Sequence, residues 1–203
     1  ALSHRNLVWT AKQLGDTLGF RDMEDERLLS YLPLSHVAEQ IVSLHSPLLI
    51  GTQVYFADSL DTLGKNLTEV RPTLFFAVPR VWEKFKTKAE EGLSSQPPLK
   101  RRLVEWARAT ALERNTRVLS QERVPSLMEA KFALAQRLVF HPLKARIGLE
   151  KAKLFATSAA PIGRDVLDFF ASIDVVLLEV WGMTEVSGPA TVSTAECARM
   201  GSV

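Results

Sequence analysis

The sequence has little of several residue types on which common protein classes depend. Its 203 residues include one cysteine, Cys197, so neither an internal disulfide nor a Cys-x-x-Cys metal or redox pair can form. No apolar run approaches the roughly 18–20 residues that cross a bilayer. The first residues lack a charged segment followed by an apolar one, so we predict no signal peptide. The scarcity of cysteine excludes a disulfide scaffold and is consistent with a reducing compartment.

Several familiar catalytic motifs are also missing. The sequence contains neither the Gly-x-Gly-x-x-Gly nor the Gly-x-x-x-x-Gly-Lys-Ser/Thr phosphate loop, and no Gly-x-Ser-x-Gly turn. The four histidines lack the spacing of zinc ligands. They are His4, His36, His45 and His141. These absences argue against a dinucleotide-binding motif, a P-loop, a hydrolase elbow and a zinc site within these residues.

The composition is that of a globular protein, but its charge is unevenly distributed. Hydrophobic residues make up 46% and charged residues 24%. Residues 97–153 carry 13 basic and 5 acidic side chains. Such a basic segment binds anionic lipid or an acidic partner in some proteins; the alternative is a solvated helix face. Within residues 100–123 the only aromatic side chain is Trp106, so we predict no nucleic-acid partner.

Periodicity predicts an alternation of strands and helices. Apolar residues at helical spacing predict helices, and short apolar or β-branched runs between turn signals predict strands. The predicted helices are 4–18, 36–49, 60–70, 79–91, 99–119, 125–140 and 162–171, and the predicted strands are 28–32, 53–57, 73–78, 153–156 and 175–180. We expect a polar connection at 22–27, a loop at 92–98 and a turn at Gly182. The pattern predicts a mostly parallel, doubly wound α/β sheet, with a basic helical insertion at 97–140 inside one partial domain over 1–203.

Three predicted strand ends carry side chains suited to ligand binding. In open parallel sheets, ligands bind beyond the carboxyl ends of the strands. The first candidate is the segment 31–36, in which His36 is placed to line a pocket or orient a carboxylate. Alternatively, His36 is an exposed or capping residue at the start of a helix.

The second candidate is the segment 156–161. Its small residues would allow a flat ligand to lie against the backbone, and Pro161 starts a helix whose first amides face the same space. Alternatively, this is a tight strand-to-helix turn that needs small residues for packing.

The third candidate is the segment 179–185. Thr184 beside Glu185 provides a hydroxyl and a carboxylate, which together suit a phosphate and Mg²⁺. Alternatively, Thr184 caps a short helix and Glu185 lies in its first turn.

Five motifs, taken in order, resemble those of the adenylate-forming enzymes, and among these the long-chain acyl-CoA synthetases of the bubblegum type. They are Leu-Ser-His-Arg-Asn at 2–6, Leu-Pro-Leu-Ser-His at 32–36, Val-Pro-Arg-Val-Trp-Glu-Lys at 78–84, Ser-Ala-Ala-Pro at 158–161 and Trp-Gly-Met-Thr-Glu at 181–185. The resemblance covers essentially all of the chain. It implies the large N-terminal domain of such an enzyme.

The resemblance also implies a reaction and a set of roles. A long-chain fatty acid attacks the α-phosphate of ATP to give an acyl-adenylate, and coenzyme A then takes the acyl group. Thr184 would hold a phosphate oxygen, Glu185 would hold Mg²⁺, and His36 would lie near the carboxylate. The residues implied around the nucleotide are Ser158, Ala159 and Ala160 and the ring of Trp181 beside adenine, with Gly182 allowing a close approach of the backbone.

Two features depart from the family pattern. Trp181 stands where the family has tyrosine, which keeps a stacking face but removes a phenol hydroxyl. The resemblance places the phosphate loop before Ala1 and the catalytic lysine beyond Val203, so we expect the chain alone to be inactive. An alternative function is a truncated, non-catalytic isoform that binds lipid or a membrane surface. We expect a cytoplasmic location, with peripheral attachment to the endoplasmic reticulum or other membranes.

Overall fold

The computed structural model describes residues 2–19, 25–194, 197–199, 201 and 202, and in them a single six-stranded sheet is flanked by helices. The strands are β1 (Arg27–Ser30), β2 (Gln53–Phe56), β3 (Leu74–Ala77), β4 (Leu154–Thr157), β5 (Leu177–Met183) and β6 (Gly188–Val192). The helices are α1 (His4–Leu18), α2 (Val37–Gln40), α3 (Ser46–Ile50), α4 (Leu63–Val70), α5 (Pro79–Ser94), α6 (Pro98–Leu119), α7 (Ser126–Ala135), α8 (His141–Ile147) and α9 (Arg164–Ser172). Two π-helical turns, Ile41–His45 and Gln136–Phe140, join α2 to α3 and α7 to α8.

The strand order explains why helices cover both faces of the sheet. The order is β2-β1-β3-β4-β5-β6, in which the first five strands are parallel and β6 is antiparallel to β5. The chain moves one way from β1 to β2 and the opposite way from β2 to β3. Parallel crossovers are almost always right-handed, so the α2–α3 and α4 connections fall on opposite faces. The predicted doubly wound, mostly parallel α/β fold is confirmed.

The main core lies on the face covered by α4 to α9 and is centred on Trp82. This indole is fully buried and lies in edge-to-face contact with four phenylalanine rings at centroid distances of 4.9–6.4 Å. The four rings are those of Phe75, Phe85, Phe155 and Phe170. Its Nε1–H lies 3.1 Å from the carbonyl oxygen of Ala77 and 3.3 Å from that of Ala156. Trp82 therefore ties the ends of β3 and β4 to α5.

The basic segment packs into this core instead of forming a fully solvated face. The Arg108 guanidinium lies 4.9 Å from the centre of the Phe169 ring, and its Nε donates to Ser172 Oγ at 3.0 Å. Burial there lowers the pKa of Arg108. Arg114 lies over the ring of Phe132 at 4.6 Å. Part of the positive charge thus serves helix packing, as cation–π contacts do elsewhere.

Several element boundaries differ from prediction. Helix α5 continues to Ser94, so the predicted loop at 92–98 shrinks to residues 95–97. The helix expected from Ser59 begins only at Leu63, because the Ser59 and Thr62 side chains bond each other and the intervening backbone as a turn. Strand β6 was not predicted. Of the polar connection expected at 22–27, residues 22–24 lie outside the described part of the chain.

The π-helical turn at Ile41–His45 changes which side chains face inward. In an ordinary helix over 36–49, apolar spacing would place Leu44 and Leu48 on one inward stripe with Val37 and Ile41, but they are 38% and 84% exposed. The wide turn shifts the helical phase, and Ser43 and Ser46 are buried in their place. Within the described residues, no helix is both long enough and apolar enough to cross a membrane.

Candidate functional site

The three strand-end segments meet at one cavity of about 320 Å³. Six of the predicted site residues line it, and they come from the segments after β1 and β4 and from the end of β5 with the turn that follows it. These six are His36, Ser158, Ala159, Gly182, Thr184 and Glu185. These segments lie at a common cavity because the parallel strands end at the same edge of the sheet.

Two predicted site residues lie outside this cavity. Ala160 and Trp181 are not among its lining residues, and Trp181 is 50% exposed. Val180 lines the cavity, and successive side chains of a strand face opposite sides, so Trp181 is directed away from it. The β5–β6 pairing also shifts register between these two residues, as at a β-bulge. The contact of Trp181 with adenine therefore stays a prediction, and it concerns a surface other than the cavity wall.

The predicted turn at Gly182 is wrong, because this residue lies inside β5. A Cβ atom at this position would come within 2.1 Å of the carbonyl oxygen of Gly188 on β6. Glycine is needed here so that the two antiparallel backbones can approach. The close passage of a nucleotide, which the resemblance implied, stays a prediction.

His36 both caps a helix and lines the cavity, so the two interpretations of this residue hold together. Its Nδ1 accepts a hydrogen bond from the backbone N–H of Ala38 at 3.2 Å, at the start of α2. A ring nitrogen that accepts a hydrogen bond carries no proton. The neutral ring therefore carries its proton on Nε2 and can act there as a hydrogen-bond donor.

A buried carboxylate beneath His36 was not predicted. Glu39 is 2% exposed, and its Oε1 accepts hydrogen bonds from Ser30 Oγ at 2.5 Å and from Ser43 Oγ at 2.6 Å. These bonds tie the end of β1 to the helix that follows His36. The sequence signal was a glutamate one turn before Ser43 in the predicted helix, and the apolar spacing alone does not direct that glutamate inward.

Tyr31 closes the gap where β1 and β3 diverge. The two strands pair only at Leu28 and Leu74, and beyond that point Tyr31 Oη accepts the backbone N–H of Val78 at 3.3 Å. Burial raises the pKa of the Tyr31 phenol, and the negative charge of Glu39 adds to the rise. The neutral phenol is thus held between the first and third strands, where the winding direction reverses.

The turn after β4 is strained at Ala159. This residue has φ 75°, in the left-handed region that an alanine side chain disfavours. Packing alone therefore does not account for the small residues of this turn, because the backbone at the edge of the cavity is held in a conformation of high energy.

Replacing Ala159 with Gly tests this strain. We expect Ala159→Gly to raise the free energy of unfolding by up to about 1 kcal/mol, because glycine adopts positive φ without the side-chain clash. The matched control is Ala160→Gly, where φ is not positive and the change should lower stability instead. Urea unfolding of both variants measures the difference, and equal destabilisation by both would show that the strain is absent.

Thr184 and Glu185 lie in a single 3₁₀ turn, Thr184–Val186, that follows β5. The capping role that the alternative gave Thr184 is wrong, because Met183 is the N-cap and no side chain makes a capping bond there, but Glu185 does lie in the first turn of this short helix. Both side chains are exposed at the mouth of the cavity. Across the described residues no cluster of three or more His, Cys, Asp or Glu forms a metal site. A single carboxylate nevertheless fits Mg²⁺, which is often held by one or two carboxylates and substrate phosphates.

Below this polar mouth the cavity is apolar, and its walls were not predicted from the sequence. The face of the sheet opposite the main core supplies one wall, and α1 with the α2–α3 helix supplies the other. The apolar wall residues of the sheet are Leu28, Leu74, Phe76, Leu154 and Ala156. Successive side chains of a strand face opposite sides of the sheet, so these residues face the cavity while their neighbours Phe75 and Phe155 face the main core.

Comparison with known families matches the whole chain to one of them, described as AMP-binding enzyme, over residues 1–203. The chain belongs to the AMP-binding enzyme family. It is 40% identical over 204 residues to the long-chain-fatty-acid–CoA ligase ACSBG2 of Gallus gallus, covering 98% of this chain and 26% of the relative. It is 35% identical to the long-chain-fatty-acid–CoA ligase heimdall of Drosophila melanogaster, covering 95% of this chain and 28% of the relative. The chain thus spans about a quarter of the length of these curated relatives.

Solved structures of AMP-binding enzymes share the fold. One is the A-PCP didomain of carboxylic acid reductase from Segniliparus rugosus in complex with AMP, with TM-score 0.59, 21% identity, and coverage of 94% of this chain and 22% of that one. Another is o-succinylbenzoate coenzyme A synthetase from Bacillus subtilis in complex with ATP and magnesium ion, with TM-score 0.58, 14% identity, and coverage of 96% and 29%. At these identities the likeness concerns the fold alone.

Proposed function

We propose that this chain forms the central part of the adenylation domain of a long-chain fatty acid–CoA ligase. The observation that carries the proposal is the single cavity with a polar mouth and an apolar body. A fatty acid has the same division, with a carboxylate at one end and a hydrocarbon chain behind it. The family membership and the ligase names of the relatives support the same substrate class.

The cavity suggests how the acid is positioned. The hydrocarbon chain lies between the sheet and the α2–α3 helix, and its carboxylate lies at the mouth near His36. The Nε2–H of His36 donates to a carboxylate oxygen, while its Nδ1 stays bound to α2. Orientation of this kind lowers the barrier of a reaction between two bound substrates. The carboxylate oxygen attacks the α-phosphate of ATP, and pyrophosphate leaves.

The nucleotide lies over the mouth of the cavity in this proposal. Thr184 donates its hydroxyl to a phosphate oxygen, and Glu185 would hold Mg²⁺. When bound, the ion supplies charge neutralisation at the phosphates. The backbone at 158–160 and the ring of Trp181 flank adenine on the outer side. Coenzyme A enters as the second substrate and accepts the acyl group.

The test is a substrate survey with a full-length ligase that carries this segment. We expect pyrophosphate release with hexadecanoate and Mg-ATP, and acyl-CoA when coenzyme A is added. Acetate should give little activity, because it cannot fill the apolar body. Pyrophosphate release with short acids or amino acids, but not with hexadecanoate, would contradict the proposal. The inactivity of the 203-residue chain alone stays a prediction, which pyrophosphate release by that chain would overturn.

A lipid- or membrane-surface role, and the cytoplasmic location, also stay predictions. The lipid- or membrane-surface role is supported by a group of exposed residues at the start of α6, where Leu99 is 83% exposed beside Lys100 and Arg102. Binding of this kind depends on salt, since it requires charge attraction as well as the leucine.

A further inference from the structure

The far end of the cavity is polar, although its middle is apolar. Glu26 and Thr52 line this end, and Ser46 lines the wall just above it. Glu26 precedes β1 and Thr52 precedes β2, so both lie at the amino end of the sheet. The mouth residues all follow strands, at the carboxyl end.

The rise per residue of the strands and of the helix gives the distance between the mouth and the far end of the cavity in two independent ways. Leu28, Leu74 and Leu154 are in register, so Glu26 and Ser158 lie six residues apart along the strand direction. Six residues of parallel strand span about 20 Å. On the opposite wall, fourteen residues of helix from His36 to Ile50 span about 21 Å. The cavity therefore runs the full depth of the sheet, a length suited to a long acyl chain.

The polar groups at the far end are buried. Glu26 is 8% exposed, and its Oε1 accepts a hydrogen bond from Lys153 Nζ at 2.6 Å. Ser46 is 7% exposed. The hydroxyl oxygens of Ser46 and Thr52 are buried and have no hydrogen-bond partner within the described residues. Buried hydroxyls without partners are uncommon in native proteins and call for an explanation.

A plain fatty acid fits this end poorly. Its methyl terminus would lie against Glu26 and the two hydroxyls without offering any of them a hydrogen bond. A terminal hydroxyl would donate to an acceptor such as Glu26 and accept from Thr52 or Ser46. A terminal carboxylate would bring a second negative charge to a buried end at which Lys153 is already paired with Glu26.

We propose that the cavity selects a long-chain carboxylic acid that carries a hydroxyl group at the end remote from its carboxylate. This inference rests on the proposed function, since it assumes that the carboxylate lies at the mouth. It adds a substrate class, and it assigns Glu26, Ser46 and Thr52 as the residues that determine it.

The test is equilibrium binding of four ligands by calorimetry to a full-length ligase that carries this segment, each ligand below its micellar concentration. The ligands are hexadecanoate, ω-hydroxyhexadecanoate, α-hydroxyhexadecanoate and hexadecanedioate. We expect the ω-hydroxy acid to bind at least about tenfold more tightly than hexadecanoate, because a site with hydroxyl partners discriminates against an analogue that lacks the hydroxyl. The α-hydroxy acid carries the same group at the wrong end and should show no such preference.

Variants assign the preference to the far end. Thr52→Val and Ser46→Ala remove the unpaired hydroxyls, so each should weaken binding of the ω-hydroxy acid and strengthen binding of hexadecanoate. The matched control is Thr157→Val. Thr157 also has a buried hydroxyl without a partner, but it does not line the cavity. This control should leave the preference unchanged.

The outcomes separate this inference from the function on which it rests. Equal binding of hexadecanoate and the ω-hydroxy acid overturns the inference and leaves the acyl site standing. Tighter binding of hexadecanedioate overturns the role of Glu26 and the proposed class. Binding of none of the four acids overturns both the inference and the acyl site itself.

Discussion

Replacing Trp82 with Ala is expected to lower the free energy of unfolding by about 3–5 kcal/mol. The indole is fully buried, four phenylalanine rings surround it, and its Nε1–H lies within hydrogen-bond distance of two strand-end carbonyls. Removing it leaves a cavity at the centre of the core and leaves the carbonyls of Ala77 and Ala156 without this donor. Urea unfolding followed by circular dichroism measures the change.

The chain offers a matched control for this prediction. Trp9 is 64% exposed on α1, so Trp9→Ala should change stability by no more than about 0.5 kcal/mol. Trp82→Phe keeps an aromatic ring but loses the N–H, and it should fall between wild type and Trp82→Ala. A loss below 1 kcal/mol for Trp82→Ala would show that the core is not organised around this side chain.

The sequence predicts the strands and most helices because their apolar spacing is local information. It does not predict the π-helical turn at Ile41–His45, since the spacing of Leu44 and Leu48 is that of an ordinary helix. The inward turn of Ser43 is stabilised by Glu39, which already holds Ser30 from another element. Such an arrangement depends on contacts between elements, which periodicity does not report.

The mouth of the candidate site was predictable, and its body was not. His36, Ser158 and Glu185 each follow a parallel strand, and topology alone brings such positions to one edge. At the far end of the cavity, Glu26 lies beside Thr52 because Arg27 of β1 is in register with Gln53 of β2. Hydrophobic periodicity gives no strand register, so the polar far end of the cavity could not be predicted from the sequence.

Strand β6 was missed for a related reason. The residues of β6 begin with Gly188 and Pro189, which are typical of turns. The strand forms because Gly182 lets the β6 backbone approach β5. The pairing of β5 with β6 is irregular between Trp181 and Gly182, and the contact of Trp181 with adenine, which the resemblance implied, stays a prediction.

The second large effect concerns chemistry instead of stability. In a full-length ligase that carries this segment, Glu185→Gln should lower the rate of adenylation by about 10²-fold or more, because a metal ligand at the phosphates contributes several kcal/mol to the transition state. The amide keeps the shape of the side chain but removes its charge. Single-turnover release of pyrophosphate at saturating hexadecanoate measures the rate.

A dependence on magnesium distinguishes this role from a general loss of activity. If Glu185 holds the ion, the Mg²⁺ concentration for half-maximal rate should rise in Glu185→Gln and recover in part in Glu185→Asp, which restores the charge. The side chain is exposed, so the unfolding free energy should stay within about 0.5 kcal/mol of wild type. Trp82→Ala changes stability through the core, whereas Glu185→Gln leaves the fold unchanged. A rate within twofold of wild type, with the same magnesium dependence, would remove Glu185 from the site.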